Sequence, residues 1–453
     1  MNQELYGVLD QIIVLLGQRR EDELKRLLSG LHPADMAEVL EELEDDQRTA
    51  VMQLISDETA AETIAEMEPE DQVSILKSIG TERAGDILEE MSADDVADMV
   101  GDLTDEQADQ ILDLMDVDEA VDVRELLEYR PDTAGGIMTT EYVALQDDLR
   151  TDEAIEELRR LATEVETTYY VYVVNERDQL VGVLSLRELI ISLPETRVRD
   201  IMKRKLVSVR VDEDQELVVQ AIQKYNLLAV PVVDEQNVLL GIVTVDDAMD
   251  VLEEEATEDI YRAAGVTRED LDADPNTSIW QTVRARLPLL LTLLFLSLVA
   301  GKVIQHFNSL ITTVGALSVF IMTMAGGAGS AATQSLAVVA RGLATGDIDR
   351  TQVWRVVWRE IRVGFIIGVV CGVTLAVAAF LWQRDPWVGL IAGLAILVNL
   401  TLAKAVGTAV PLVLQGLRLD PSLASGPLIA TVTDATSMLV YFGIASGFIR
   451  FIM

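Results

Sequence analysis

The chain has 453 residues and a formal net charge of −41, and residues 1–276 hold 70 Asp and Glu against only 23 Lys and Arg. This balance excludes a nucleic-acid binder, which needs a basic surface, and leaves either a cation-binding protein or a merely solvating acidic surface. One cysteine and two histidines exclude a disulfide framework and argue against a His-rich zinc site.

Residues 1–130 are predicted to form an acidic, all-α solenoid domain. After an amphipathic helix over residues 5–28, an apolar residue recurs every twelve positions, at Leu31, Leu43, Ile55, Met67, Ile79, Met91, Leu103, Met115 and Leu127. Polar turns between these positions, such as S-D-E-T and S-A-D-D, supply N-caps and place carboxylates at helix N-termini. Short helices of this kind stack on one another. Most of these acids are expected to serve capping and solubility, and a minority at a domain boundary to bind cations.

The next segment contains one pattern twice, in copies predicted at residues 131–200 and 201–250. Each copy reads strand, helix, strand, turn, strand, helix, with β-branched runs as its strands. The copies end in G-x-x-S/T-x-x-D/E, at Gly182, Ser185 and Glu188 and at Gly241, Thr244 and Asp247. This pattern resembles a pair of CBS (cystathionine-β-synthase-type) domains, an α/β module. The resemblance implies dimers with adenine nucleotides or metal as regulatory ligands, and makes Tyr170 and Arg187 candidates for contacts to a base and a phosphate.

Residues 246–275 are predicted to form an acidic connecting helix and a linker. Spacings of three and four residues place Asp247, Asp250 and Glu254 on one helical face, with Glu255, Glu258 and Asp259 close by. Like charges at these spacings repel by about 0.2–0.5 kcal/mol per pair. The helix is therefore either a charged surface or a sensor that docks when divalent cations bind, and its oxygen ligands suit Mg²⁺ or Ca²⁺.

Residues 276–453 are predicted to form an α-helical membrane domain. Five apolar segments are long enough to cross a bilayer, at residues 287–305, 310–340, 363–383, 386–417 and 421–449. Arginines cluster before the first segment and between the second and third, so these loops are expected inside the cell. The N-terminus lacks the pattern of a signal peptide, which also favours a cytoplasmic acidic part.

Asp434 is the only acidic residue within these predicted segments. A carboxylate inside a membrane is costly and marks an ion path, although an ion pair with Lys404 is the structural alternative. The sequence has no nucleophile–base arrangement, no P-loop and no phosphate-binding glycine loop, so we do not expect an enzyme.

Three motifs complete the pattern: P-x-L-A-S-x-P ahead of Asp434, P-D-T-A-G-G-I-M-T at residues 131–139 and R-G-L-A at residues 341–344. Together with the order of the domains, they make essentially the whole chain similar to the MgtE family of Mg²⁺ transporters. The resemblance implies a homodimer in the cell (inner) membrane, a pore lined by spans two and five, Mg²⁺ as substrate and regulator, and ATP as a candidate modulator. It assigns the pore carboxylate to Asp434 and the cytoplasmic Mg²⁺ sites to Asp95, Asp247, Asp250, Glu255, Glu258 and Asp259.

One segment departs from the family pattern. Where span two usually carries G-G-N-x-G-x-Q, this chain has Ala328-Gly329-Ser330-Ala331-Ala332-Thr333-Gln334, which leaves the pore lining and the ion preference open. Three hypotheses remain: an Mg²⁺ channel closed by internal Mg²⁺, a coupled transporter of another divalent cation such as Co²⁺, and a membrane-anchored CBS sensor. Asp434 and the glycine-rich second span argue against the sensor.

Overall fold

The computed structural model describes residues 3–67, 69–101, 103–161, 169–266, 279–344, 348, 352–417 and 424–452. The chain divides into two compact units, Met1–Leu252 and Glu253–Met453. Each unit is described by itself.

The first part of the first unit is all α in its described residues. Its helices are α1 (Gln3–Gly17), α2 (Glu21–Leu28), α3 (Pro33–Glu41), α4 (Asp45–Met52), α5 (Asp57–Ala65), α6 (Pro69–Ile79), α7 (Thr81–Leu88), α8 (Ala93–Gly101), α9 (Asp105–Leu112) and α10 (Val117–Leu126). The single helix predicted over residues 5–28 is wrong, because α1 and α2 replace it. Gly17 is a poor helix former, and Arg19 takes a left-handed backbone conformation (φ 54°) that ends α1.

The twelve-residue repeat sets the spacing of these short helices. Its apolar residues lie mostly in the turns between helices, where Leu43, Met67 and Met91 are buried, whereas the last of them, Leu127, is exposed. The predicted caps are present: the Ser56 hydroxyl accepts a hydrogen bond from the backbone N–H of Thr59. Several of these short helices start at a capping polar turn, as α5 does at Ser56 and α9 at Thr104, and their apolar sides are buried in one core.

The rest of the first unit contains two three-stranded sheets of the same design. The elements are β1 (Ala144–Gln146), α11 (Thr151–Leu161), β2 (Tyr170–Val174), β3 (Leu180–Ser185), α12 (Leu186–Ile191), α13 (Val198–Ile201), β4 (Val209–Arg210), α14 (Gln215–Tyr225), β5 (Ala229–Val233), β6 (Leu239–Thr244) and α15 (Val245–Ala264), of which the part from Glu253 onward belongs to the second unit. In each sheet the first strand pairs parallel to the second, and the second antiparallel to the third. The repeated strand and helix order predicted from the sequence is confirmed. Side chains of the second copy share one hydrophobic core with the N-terminal helices.

The second unit contains α16 (Ile279–His306), α17 (Asn308–Thr313), a 3₁₀ helix (Gly315–Phe320), α18 (Ile321–Ala344), α19 (Val353–Gln383), α20 (Pro386–Gly416) and α21 (Gly426–Ile452). Five segments of the described residues are long and apolar enough to cross a membrane: Thr282–His306, Gly315–Leu343, Val353–Gln383, Pro386–Gly416 and Gly426–Phe448. The predicted set of five spans is confirmed.

The third span begins ten residues earlier than predicted, at Val353, and this brings Glu360 inside it. The prediction that Asp434 is the only acidic residue in a span is therefore wrong. The arginines around Glu360 suggested a loop, but Arg359 and Arg362 are exposed whereas Glu360 is buried. The arginines therefore lie on the exposed face of this helix, and Glu360 lies on the face that packs against the neighbouring helices.

Glycines bring α19 and α20 into backbone contact. Gly364, Gly368 and Gly372 recur every four residues on α19, so they lie on one face. A Cβ added at Gly368 would lie 2.8 Å from the carbonyl oxygen of Leu397, and one added at Gly372 would lie 2.7 Å from that of Gly393. Small residues at this spacing permit close packing where lipid gives no hydrophobic drive for association. The two helices form a tightly packed pair.

This contact can be tested at Gly368. We expect Gly368→Ala to lower the stability of the membrane domain by about 1–3 kcal/mol, because the added methyl group meets rigid backbone. The control is Gly447→Ala on α21, where an added Cβ would meet no atom within 4 Å. The thermal unfolding midpoints of both purified variants in detergent provide the measurement. Equal midpoints would contradict the close approach.

Candidate ion-binding sites

Asp434 lies two turns into α21, half-buried, where α21 crosses α18. Gly329 of α18 lies close to it: a Cβ added there would lie 3.3 Å from the Cβ of Ala430 and 3.8 Å from Oδ1 of Asp434. Glycine at this position leaves the backbone of α18 open to the carboxylate. The two helices that the family resemblance assigns to the pore therefore meet at the residue predicted to bind the ion.

The departures from the family pattern occupy different surroundings. Ala328 and Ala332 are fully buried, and the carbonyl of Ala332 faces Gly407 of α20 in direct backbone contact. Ser330 is exposed, and its hydroxyl donates a hydrogen bond to the carbonyl of Gly326 in its own helix at 2.9 Å. Two of the three departures therefore belong to helix packing, and the residue beside Asp434 is still glycine.

Lys404 forms an ion pair with Glu360. Its Nζ lies 3.7 Å from Oε2 of Glu360 and donates a hydrogen bond to the hydroxyl of Ser335 at 3.2 Å. That hydroxyl in turn donates to Oε2 of Glu360 at 2.8 Å. The structural alternative for Asp434, an ion pair with Lys404, loses its support because Lys404 has a different carboxylate as its partner.

A group of carboxylates lies in the first unit at the start of α8 and α15. Asp94 is buried, and Asp95 and Asp247 are half-buried. Asp247 accepts hydrogen bonds from the backbone N–H and the hydroxyl of Thr244, the latter at 2.5 Å, so it also caps α15. Glu141 accepts a hydrogen bond from the backbone N–H of Ala93 at 3.2 Å. The tertiary structure thus brings the predicted residues Asp95 and Asp247 within electrostatic reach of one another.

Burial and mutual repulsion perturb these acids. Burial, followed by the charge of Asp94, raises the pKa of Asp95 to about 6. The same two causes raise the pKa of Asp247 to about 7. Burial also raises the pKa values of Asp94 and Glu141, against opposing hydrogen bonds. Neutralising these groups, by protons or by a bound cation, relieves the repulsion.

The remaining predicted ligands lie on α15. Asp250 is exposed, and Glu255 and Asp259 are half-buried. Glu258 is almost fully buried and pairs with Arg262 one turn later. Among the residues that the structure describes, no three His, Cys, Asp or Glu side chains are grouped as a metal site. Mg²⁺ is commonly bound through one or two carboxylates together with water, so pairs of these acids suffice for it.

The two residues predicted to contact a nucleotide differ in their exposure to solvent. Tyr170 starts β2, half-buried beside the cluster around Tyr172, whereas Arg187 is exposed in the first turn of α12. Between them, Ser185 and Glu188 form a capping box, in which the carboxylate accepts from the backbone N–H of Ser185 at 2.8 Å. The motif that suggested a CBS domain thus has a structural role in capping α12.

Four residues of these sites escaped the sequence analysis: Asp94, Glu141, Ser335 and Glu360. Asp94 stands next to Asp95 in S-A-D-D, and the pattern alone does not tell which of the two is buried. Ser335 is a small residue in an apolar helix, where serine is common and gives no signal. Glu360 stands in a stretch rich in arginine that the sequence analysis assigned to a loop. A helical wheel of residues 353–383 would have found Glu360, since Glu360, Gly364, Gly368 and Gly372 lie on one face.

Models of known protein families match three parts of the chain. A model described as the MgtE intracellular N domain matches residues 31–132, the CBS domain model matches residues 134–195 and 198–254, and the MgtE model, described as a divalent cation transporter, matches residues 321–444. The matches follow the order in which the helical domain, the repeated pattern and the membrane domain occur.

Curated relatives match the chain over most of its length. The magnesium transporter MgtE of Enterococcus faecalis is 42% identical over 330 residues, which are 73% of this chain and 72% of the relative. The magnesium transporter MgtE of Thermus thermophilus is 40% identical over 327 residues, which are 72% of each protein. The similarity extends beyond a single shared domain.

Two solved structures resemble the first unit. The cytosolic domain of the Mg²⁺ channel MgtE in complex with ATP superposes with a TM-score of 0.52 at 40% identity, over 54% of this chain and 99% of that chain. The soluble part of a magnesium transporter gives a TM-score of 0.52 at 35% identity, over 56% of this chain and 99% of that chain.

The raised pKa values predict that the stability of the first unit depends on pH. Because Asp95 and Asp247 bind protons more tightly when folded than at their ordinary value of 3.8, their contribution falls as pH rises from about 4 to about 7 and is constant above. Hydrogen exchange of the α8 amides, measured without divalent cations between about pH 5 and about pH 8 and corrected for intrinsic rates, should show decreasing protection.

The matched variants are Asp95→Asn and Asp98→Asn, the latter at an exposed position of the same helix. Asp95→Asn should increase protection of α8 at about pH 8 and flatten its pH dependence, whereas Asp98→Asn should leave both unchanged. Equal behaviour of the two variants would show that Asp95 carries no unfavourable charge.

Proposed function

Because this chain belongs to the MgtE family of divalent cation transporters, we propose that it conducts Mg²⁺ across the cell membrane and that Mg²⁺ inside the cell closes it. The chain is a multi-pass membrane protein with an intracellular N domain, and a transporter rather than an enzyme. The observation that carries the proposal is the half-buried Asp434 beside the open backbone of Gly329.

The ion path follows from the chemistry of Mg²⁺. This ion gives up its water reluctantly, so a pore can select it by holding the hydrated ion between carboxylates and carbonyl oxygens. Asp434 supplies the negative charge, and the glycine beside it removes the side chain that would fill the space. Asp434, unlike Glu360, is not paired with Lys404, which supports a role in the ion path.

A homodimer completes this pore in the proposal. Large apolar side chains on α18 and α21 are exposed in the single chain: Met322 is 82% exposed and Leu439 is 52% exposed. A second copy related by a two-fold axis would cover such a surface and place two Asp434 carboxylates opposite each other. The ion would then be held by a symmetric pair.

Closure is proposed to act through the C-terminal half of α15. Within the second unit, a Cβ added at Gly426, the first residue of α21, would lie 3.3 Å from the carbonyl oxygen of Ala263. Gly265 follows α15 with a positive φ of 82° and approaches Ser425 and Leu289. The end of α15 thus contacts the start of the helix that carries Asp434. Mg²⁺ bound by Glu255 and Asp259 would relieve their repulsion and hold α15 in this position.

ATP is proposed as a modulator that binds the CBS pair. Support comes from the related cytosolic domain, which was solved in complex with ATP. Exposed Arg187 is available to a phosphate, and Tyr170 to the base, but Ser185 and Glu188 would have to share their capping bonds with a ribose.

The pore assignment is tested with Asp434→Asn. We expect Mg²⁺ uptake into proteoliposomes to fall to the level of empty liposomes, because the amide removes the charge that attracts the ion. Asp385→Asn is the matched control: Asp385 caps α20 by accepting a bond from the N–H of Trp387, and Asn preserves this cap. Uptake unchanged in both variants would make Asp434 structural, and wild-type protein that moves Co²⁺ but not Mg²⁺ would favour another transported ion.

Regulation is tested on α15 by comparing two double variants. Glu255→Gln with Asp259→Asn should make uptake insensitive to Mg²⁺ on the side of the N domain, because the ligands for the closing ion are gone. Glu253→Gln with Glu254→Gln removes the same charge from two exposed positions of α15 and should preserve inhibition by Mg²⁺. If both pairs remain equally inhibited, sensing resides elsewhere.

A further inference from the structure

Three polar residues meet between α18, α19 and α20 in the second unit. Ser335 is fully buried, and Glu360 and Lys404 are more than nine-tenths buried. Ser335 donates to Glu360 at 2.8 Å and accepts from Lys404 at 3.2 Å, and the two charges lie 3.7 Å apart. Each of the three helices contributes one member, so the cluster ties them together at one point.

Stability by itself gives no reason for such a pair. Removing two charges from water costs more than their attraction returns in most buried pairs, and well-packed apolar residues would hold the helices at least as firmly. What a buried ion pair with a shared hydroxyl supplies is a single allowed alignment, because a small slide of one helix breaks the hydrogen bonds.

The cluster acts on the helix that faces Asp434. Ser335 lies six residues beyond Gly329 on α18, a distance of about 9 Å along the helix axis. Between them, Ala332 meets Gly407 in backbone contact. Ala332 and Ser335 are one turn apart on α18, as are Lys404 and Gly407 on α20, so adjacent turns make a steric contact and a polar contact.

The two helices that face Ser335, α19 and α20, are fixed relative to each other by backbone contact. Glu360 continues the series Gly364, Gly368 and Gly372 that packs α19 on α20. Glu360 and Lys404 therefore stand on two helices whose relative position is set by backbone contact. The same helix α18 also reaches α21, through Gly329 and Ala430.

We propose that Glu360 and Lys404 are positioning residues for ion conduction, which hold Ser335 and so set the axial position of α18 and the width of the gap between Gly329 and Asp434. This inference rests on the proposed function, in which that gap is the ion path. Neither residue contacts the ion in this assignment. They determine which ions fit by determining where α18 stands.

The experiment uses the full-length protein in liposomes, with uptake of Mg²⁺ and of Ca²⁺ measured per inserted protein. Ser335→Ala, Glu360→Gln and the exchange Glu360→Lys with Lys404→Glu are compared with wild type. Ser297→Ala is the control, since its hydroxyl bonds only to its own helix at the carbonyl of Leu294 in an exposed position. The readouts are the Mg²⁺ concentration at half-maximal uptake and the ratio of Ca²⁺ to Mg²⁺ uptake.

Ser335→Ala and Glu360→Gln should each change the half-maximal concentration or the ratio by about twofold to thirtyfold, the range for residues that act through a coupled network. The charge exchange should return both values toward wild type, and Ser297→Ala should leave both unchanged. Ser335→Ala introduces no unpaired carboxylate, so it remains informative if the charged variants fail to insert.

Two results would overturn the proposal. If the variants reduce only the amount of inserted protein while both readouts stay at wild-type values, the cluster merely stabilises the fold. If inserted wild-type protein takes up no Mg²⁺, the proposed function itself fails, and the positioning role fails with it. The first result leaves Mg²⁺ conduction by wild type intact, so the two failures are distinguishable.

Discussion

Negative charge in surroundings of low dielectric constant is the constraint on which both units of this protein depend. A buried carboxylate must be protonated, paired or bound to a cation, since its isolated charge is too costly. Glu360 satisfies this rule by pairing with Lys404, and Glu258 by pairing with Arg262. Burial and the charge of Asp94 raise the pKa values of Asp95 and Asp247, so a proton or a bound cation would relieve the cost of their charges.

The membrane helices solve a second problem, which is how to associate without a hydrophobic effect. Close backbone contact at glycine provides dispersion contacts over a long interface, as Gly368 and Gly372 do against α20. The same device serves two purposes at Gly407 and Gly329. Gly407 lets α18 pack against α20. Gly329 leaves space next to Asp434 that a larger side chain would fill. Helix packing and the proposed ion path therefore use the same type of residue.

Much of this organisation is readable from the order of residues. The twelve-residue period, the repeated strand pattern and the five apolar segments each reflect local rules of capping, side-chain alternation and bilayer thickness, and the family matches and the helices confirm them. The exact domain limits and the ligand roles of Asp434, Asp95, Asp247, Asp250, Glu255, Glu258, Asp259, Tyr170 and Arg187 stay predictions. The predicted start of span three was wrong because the arginines on the exposed face of this helix gave its first ten residues the composition of a loop.

The domain order, the number of membrane spans, the acidic character of the intracellular part and the place of Asp434 in the fifth span follow from the amino-acid order, because each depends on composition or spacing within a short stretch. The tertiary structure decides which acids lie close together, as Asp94, Asp95 and Asp247 do, and which are paired, as Glu360 is with Lys404, 44 residues away. Such pairings depend on how segments far apart in the chain fold against one another, and a local sequence pattern does not show which segments meet.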